Sequence, residues 1–207
     1  MGGKKYMKIQ CIIFDFGGVI GYPHDKERVK TMAELLQMKV EDFEEAYFYH
    51  RTAYDEGLIN KEEYWQRISG EDLDPVTLEA LVTEDFHSWT RINQKVVELI
   101  KRLRTTVGHV ALLSNINMEA KRYIQEELKL FEMFHSTYCS CDLKLMKPHR
   151  EIYDYVIHSL QVPAEECVFI DDTKENIAGA KKAGLHGIVF DNYEQLKTAL
   201  EQYHISV

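Results

Sequence analysis

The stretch Lys8-Ile-Gln-Cys-Ile-Ile-Phe-Asp15-Phe-Gly-Gly18 decides how the rest of the chain is read. A short apolar run that ends on an acid and a glycine pair reads as a buried strand followed by a turn. Working outward, residues 25–104 carry no convincing strand signal, and their apolar positions recur at helical spacing. Phe43, Tyr47, His50 and Tyr54 follow one another at steps of four, three and four, which is one face of a helix. Asn60 before Lys-Glu-Glu63 predicts a helix start, and Pro75 suits a first helical turn. After residue 92 the pattern alternates. Helix 94–104, strand 109–113, helix 117–129 and a weak strand near 137–140 are followed by a helix after Pro148. Strand 167–170, helix 174–183 closed by Gly184, strand 187–190 and helix 193–203 complete the chain. Strands separated by helices predict an α/β fold, a parallel sheet with helices on both faces. The chain then divides into an α/β core domain, residues 1–20 and 93–207, and an all-helical insert, residues 21–92.

Composition agrees with a globular protein. The 207 residues are 45% hydrophobic and 29% charged, with a formal net charge of −9. The insert holds 8 basic and 17 acidic side chains, so the whole net charge resides there, as do both tryptophans, Trp65 and Trp89. An acidic balance argues against a nucleic-acid partner, because phosphate backbones select basic surfaces. No apolar run reaches the roughly 18 residues of a membrane span, and residues 1–6 lack a signal-peptide core. Gly2 fits myristoylation poorly because position 6 is Tyr. The expectation is a cytoplasmic protein with no membrane partner. Cys11, Cys139, Cys141 and Cys167 form no CxxC pair, so they read as buried small hydrophobes rather than zinc ligands or disulfides. Nothing in the sequence speaks to oligomeric state.

Four polar clusters each follow a predicted strand or its loop: Asp15, Ser114-Asn115, Lys147-Pro148 and Asp171-Asp172. In an open parallel sheet the carboxyl ends of the strands share one edge, where ligands bind. Spread over about 160 residues of sequence, the clusters would therefore converge. Three crowded carboxylates repel one another unless a cation neutralises them, and hard oxygen ligands select Mg²⁺. Asp15 then suits a nucleophile toward phosphorus, Lys147 a group that screens Asp15 and holds a phosphoryl oxygen, and Ser114 a hydroxyl donor. Gly17 and Gly18 permit close backbone approach to the substrate.

Phe14-Asp-Phe-Gly-Gly-Val19, Leu112-Leu-Ser-Asn115, Lys147-Pro148 and Phe169-Ile-Asp-Asp-Thr173 resemble the four ordered motifs of the haloacid dehalogenase superfamily, over residues 8–20 and 93–190. The helical insert falls where that family places its small cap. The resemblance is to its phosphatase-like branch and implies a Rossmann-like core. It also implies a Mg²⁺-dependent phosphatase acting on a small phosphorylated metabolite, a sugar phosphate as first expectation, through an aspartyl-phosphate on Asp15. Asp15, Asp172, Asp171 and the Gly17 carbonyl carry over as metal ligands, Ser114 and Asn115 as phosphate or substrate contacts, and Asn176 as a holder of metal-bound water. Most phosphatases of this family carry a second Asp two residues after the nucleophile as general acid and base. Gly17 stands there, which implies slow turnover. The alternatives are a hydrolytic 2-haloacid dehalogenase, whose members also lack the second Asp, and a catalytically weak binder of a phosphorylated ligand. Within the insert, Phe43, Tyr47, Tyr54 and Trp65 read as core, while His50 and Arg51 are candidate substrate contacts and His24 an entrance residue.

Overall fold

A computed structural model describes residues 8–206. The myristoylation reading at Gly2 lies outside the described residues. Five strands form one parallel sheet: β1 (Cys11–Phe14), β2 (His109–Ser114), β3 (Ser136–Cys139), β4 (Cys167–Asp171) and β5 (His186–Val189), in the order β3-β2-β1-β4-β5. β1 is central. Its residues alternate between two cores at the period of two that a pleated strand imposes. Ile12 and Phe14 join Val110, Leu112, Val168 and Ile170 on one face, and Cys11 and Ile13 join Ala111, Leu113 and Phe169 on the other. Helices α5 (Gln94–Thr106) and α10 (Tyr193–Glu201) cover the first face, α8 (Arg150–Leu160) and α9 (Lys174–Lys182) the second. The expected parallel α/β sheet with helices on both faces is what forms. All four cysteines are free and buried.

Between β1 and α5 run α1 (Lys26–Leu35), α2 (Val40–Asp55), α3 (Lys61–Ser69) and α4 (Pro75–Trp89). They pack around a core of their own that includes Phe43, Tyr47, Tyr54 and Trp65, as the helical spacing predicts. Asn60 caps α3 by accepting from the Glu63 N–H, and Pro75 opens α4. The two chain segments that lead into and out of these helices lie side by side: Tyr22 N–H donates to Arg91 O at 2.7 Å, and Asn93 N–H to Ile20 O at 2.8 Å.

The helix expected over 117–129 is shorter and broken. α6 (Met118–Arg122) passes into a wider π-helical turn over Tyr123–Glu127, where Tyr123 stacks on Phe86 of α4 at 4.3 Å. Its N-cap is Asn117, whose side chain accepts from Ala120 N–H, so Ser114 and Asn115 are not spent on capping. A short helix, α7 (Ser140–Leu143), follows β3 directly. No helix of the described residues is long and apolar enough to cross a membrane.

Candidate active site

Register brings the clusters together. Phe14 of β1 pairs with Leu112 of β2 and Ile170 of β4, so Asp15, Ser114 and Asp171 all fall at the carboxyl edge of the sheet. Asp15 N–H donates to Ile170 O at 2.9 Å, which fixes the backbone of the acid against β4. Its carboxylate accepts from Phe16 N–H at 2.7 Å and from Lys147 Nζ at 2.8 Å, and Ser114 lines the same cavity beside it. Lys147 is 3% exposed and meets a second acid, Asp171, at 2.7 Å.

Asp171 is fully committed. Besides Lys147 it accepts from Thr173 N–H at 2.8 Å and from Asn176 Nδ2 at 3.0 and 3.1 Å. Asn176, expected to hold a metal-bound water, holds this carboxylate through its Nδ2 and also lines the cavity. Asn115, expected at the substrate, uses its amide to grip the lysine's backbone: Lys147 N–H donates to its Oδ1 and its Nδ2 donates to Lys147 O, both at 3.0 Å. Asn115 and Asp171 therefore position Lys147 from two directions.

Oxygens of Asp15, Asp171 and Asp172 lie within 4.8 Å of one another, against a single lysine. Burial pushes the Asp15 carboxyl up to about 7; Lys147 opposes that shift and Asp171 adds to it. Burial and then Asp171 raise Asp172 in the same direction. Three crowded carboxylates, with the charged forms of Asp15 and Asp172 disfavoured, are a donor set that a hard divalent cation would stabilise. The backbone leaves room for it. Gly18 sits at φ +72°, and a Cβ there would come within 2.0 Å of Asp172 Oδ2. Gly17 differs: a Cβ would meet nothing closer than the Trp89 ring at 3.9 Å.

Above this edge lies a cavity of about 450 Å³, lined from the sheet side by Asp15, Gly17, Gly18, Ser114, Asn115, Lys147 and Asp172 and from the helical side by His24, Phe48, Arg51, Asp55 and Trp89. Arg51 is thus at the cavity, but its charge is engaged. It bonds Asp55 at 2.9 Å, Asp85 at 2.7 Å and the Tyr47 hydroxyl. His50, the next residue back on α2, does not line the cavity; its ring meets Tyr49 edge-on at 4.9 Å. Adjacent residues of a helix point about 100° apart, so the two could not share one target. His24 stacks between Trp89 at 4.7 Å and Tyr47 at 5.1 Å, and burial followed by the Arg51 charge lowers its pKa to about 4.

The helices are tied to the sheet edge through the end of α2. Asn117 Nδ2 donates to Asp55 at 3.2 Å, Ser140 Oγ to Asp55 O, Tyr54 OH to Glu119 at 2.8 Å and Lys144 Nζ to Gly57 O. Sequence reasoning missed Phe48, Asp55 and Trp89 as site residues. Phe48 carried a signal, an aromatic out of phase with the 43-47-54 face. Asp55 carried another, an acid at a helix C-terminus, where the dipole disfavours it.

Comparison with known proteins agrees with this layout. Residues 9–184 match the haloacid dehalogenase-like hydrolase family. A chloroplast flavin mononucleotide hydrolase of Arabidopsis thaliana is 31% identical over 74% of this chain, which spans 62% of that relative's length. D-ribitol-5-phosphate phosphatase of Bacteroides thetaiotaomicron is 27% identical over 85% of this chain and 89% of its own. Among solved structures, a family enzyme from B. thetaiotaomicron in complex with magnesium and inorganic phosphate superposes with a TM-score of 0.73 at 22% identity, covering 91% of this chain and 98% of that one.

Proposed function

This chain belongs to the haloacid dehalogenase-like hydrolases, and from that premise we propose a Mg²⁺-dependent phosphatase that hydrolyses a small phosphorylated metabolite. The observation that carries the proposal is Asp15, an acid at the end of the central strand held 2.8 Å from a buried lysine, with two further carboxylates beside it. Asp15, Asp172 and the Gly17 carbonyl would hold the cation, and Asp171 completes the acidic set while anchoring Lys147. When bound, the cation supplies charge neutralisation and polarises the phosphoryl group. Asp15 attacks phosphorus in line with the ester oxygen, forming an aspartyl-phosphate and releasing the alcohol. Lys147 and the Ser114 hydroxyl face the charge that gathers on the phosphoryl oxygens, and being pre-oriented they need no rearrangement to do so. Water then cleaves the acyl phosphate and restores Asp15. The relatives that hydrolyse flavin mononucleotide and ribitol 5-phosphate, and the similar fold crystallised with magnesium and phosphate, support this reading.

A dehalogenase would run on Asp15 without a metal, and nothing in that chemistry calls for Asp172 beside Asp171. The test is phosphate release from a panel of monoesters with and without millimolar Mg²⁺, with Asp15→Asn as control. Mg²⁺-dependent release abolished by Asp15→Asn is expected. Halide release from 2-chloropropionate in excess chelator, with no phosphate release under any condition, would replace the reading by the dehalogenase.

A further inference from the structure

The polar and apolar groups of the cavity are sharply divided between its two ends. Every side chain suited to a phosphoryl group sits at the sheet edge. The apolar part of the lining is Pro23, Phe48 and Trp89 from the helical side and Ile116, Ala120 and Ile124 from the segment after β2. The polar side chains that reach this wall, His24 excepted, are engaged elsewhere. Trp89 Nε1 donates to the Tyr47 hydroxyl at 3.1 Å, Asp55 takes Arg51 and Asn117, and Asn115 is closed on the Lys147 backbone. His24 is packed face to face between two rings, and its Nε2 is buried without a partner. Charge is balanced as well. Lys147 is matched by Asp15 and Asp171, and Arg51 by Asp55 and Asp85. Among the described residues, no cation lining the cavity is left for a second anionic group on the substrate.

Two substrate classes are disfavoured by this wall. A polyol phosphate would bury most of its hydroxyls against hydrocarbon, with His24 Nε2 able to serve one of them, and a second carboxylate or phosphate would lose its water beside Asp55 with no counter-charge. A flat hydrocarbon body loses nothing there, and Phe48, half exposed at the rim, offers it a ring. Gly17 points the same way independently. With no acid beside the nucleophile, the departing oxygen must leave unprotonated, and a phenol, with a pKa near about 10, does so readily.

We propose that the site takes aryl phosphate monoesters whose body is uncharged and hydrocarbon-rich. The inference rests on the phosphatase reading. In the reaction the P–O bond to the aryl oxygen breaks with its electron pair going to that oxygen. The bond from Asp15 to phosphorus forms, and the phenolate takes its proton from solvent. Water then breaks the Asp15–phosphorus link, yielding inorganic phosphate and the free carboxylate.

The test measures kcat/KM with Mg²⁺ for 1-naphthyl phosphate, 4-carboxyphenyl phosphate, ribitol 5-phosphate and acetyl phosphate. Both aryl esters leave as phenolates, so their ratio cancels the leaving group and reports the body, its charge and its apolar area together. Acetyl phosphate has almost no body and reports the chemistry alone. Naphthyl phosphate should exceed ribitol 5-phosphate by about 100-fold or more and the carboxyphenyl ester by about tenfold or more. Phe48→Ser, at an exposed position that folding tolerates, should lower the naphthyl-to-acetyl ratio about tenfold. Ribitol 5-phosphate or the carboxyphenyl ester matching naphthyl phosphate would overturn the inference while leaving a phosphatase. Phosphate release from none of the four, acetyl phosphate included, would sink the phosphatase reading and this one with it. An unchanged ratio in Phe48→Ser would refute the aromatic wall.

Discussion

Gly17→Asp tests how the reaction manages without an acid beside the nucleophile. The structure makes the variant feasible. Gly17 does not sit at positive φ, and the atoms nearest a new Cβ are Trp89 ring carbons at 3.9 and 4.0 Å, ordinary van der Waals contact. The substitution should therefore fold, with a stability change within about 0.5 kcal/mol apart from repulsion by Asp15 and Asp172. A positioned general acid is worth typically 10²–10⁴-fold, or about 3–5 kcal/mol of barrier. That gain should appear in kcat for alkyl phosphates, whose leaving oxygen needs the proton, and shrink toward nothing for aryl and acyl phosphates. The parent should show the complement, a steep dependence on leaving group. Its aspartyl-phosphate, lacking a base to activate water, should accumulate and give a burst of alcohol before steady state. The assay is a leaving-group series for parent and variant at saturating Mg²⁺, with rapid quench for the burst. A folded variant with no gain on alkyl phosphates, beside a flat profile in the parent, would refute the argument. The acid would then come from the helical side, with His24 at the cavity as the first candidate.

The neighbouring glycine should behave oppositely. Gly18→Ala, at φ +72° and with its Cβ 2.0 Å from Asp172 Oδ2, must displace that carboxylate; backbone strain alone costs about 1–2 kcal/mol, and calorimetry should show Mg²⁺ affinity reduced at least tenfold, with wild-type affinity counting against Asp172 as a ligand. Asn115→Ala removes both hydrogen bonds that hold the Lys147 backbone, worth about 0.5–1.5 kcal/mol each. It should lower kcat more than it raises KM, and an equal loss in KM with kcat intact would return Asn115 to the substrate. Finally, the folded pKa of Asp15 is raised from 3.8 to about 7, so the folded state holds that proton more tightly than the unfolded chain. Its contribution is fully present below about pH 4 and is lost as pH rises to about 7. In excess chelator, Tm of the wild type should fall across that window relative to Asp15→Asn, by up to about 4 kcal/mol of stability; parallel Tm profiles would disprove the shift. Added Mg²⁺ should flatten the wild-type slope, because it binds the deprotonated form.

The sheet and its chemical edge were legible because each depends on short segments. A buried parallel strand is an apolar run, its end is a polar residue, and register then aligns the ends without further information: Asp15 beside Asp171 follows from Phe14 pairing with Ile170. What those side chains do with each other was not legible. Asn115 and Asp171 both look like ligands in sequence, yet both hold Lys147, because satisfying a buried lysine takes partners from three separate loops. The helical insert was readable only as to what it buries. Which of His50 and Arg51 reaches the cavity depends on how α2 sits over the sheet edge, a tertiary fact fixed by the bonds at Asp55, Tyr54 and Gly57.

The cavity is thus flanked by two buried cations, each between two acids, and the difference between them explains the division of labour. Lys147 shares its charge with Asp171, which is sealed, and Asp15, which opens on the cavity and keeps a free oxygen for phosphorus. Arg51 shares its charge with Asp85, which is sealed, and Asp55, whose remaining capacity goes to Asn117 on the sheet side. The first set leaves one carboxylate open to the cavity with an oxygen uncommitted, while the second leaves none. Instead it couples the orientation of α2, through Asp55, to the loop that follows Ser114 and Asn115. Opening of the helices away from the sheet would break the Asn117 bond and expose one acid of the Arg51 set, but would leave the Lys147 set intact, since all of its partners belong to the sheet side. Asp15, the nucleophile of the proposed reaction, would therefore stay oriented whether or not the cavity is covered, and in that proposal the helices govern which molecule reaches it.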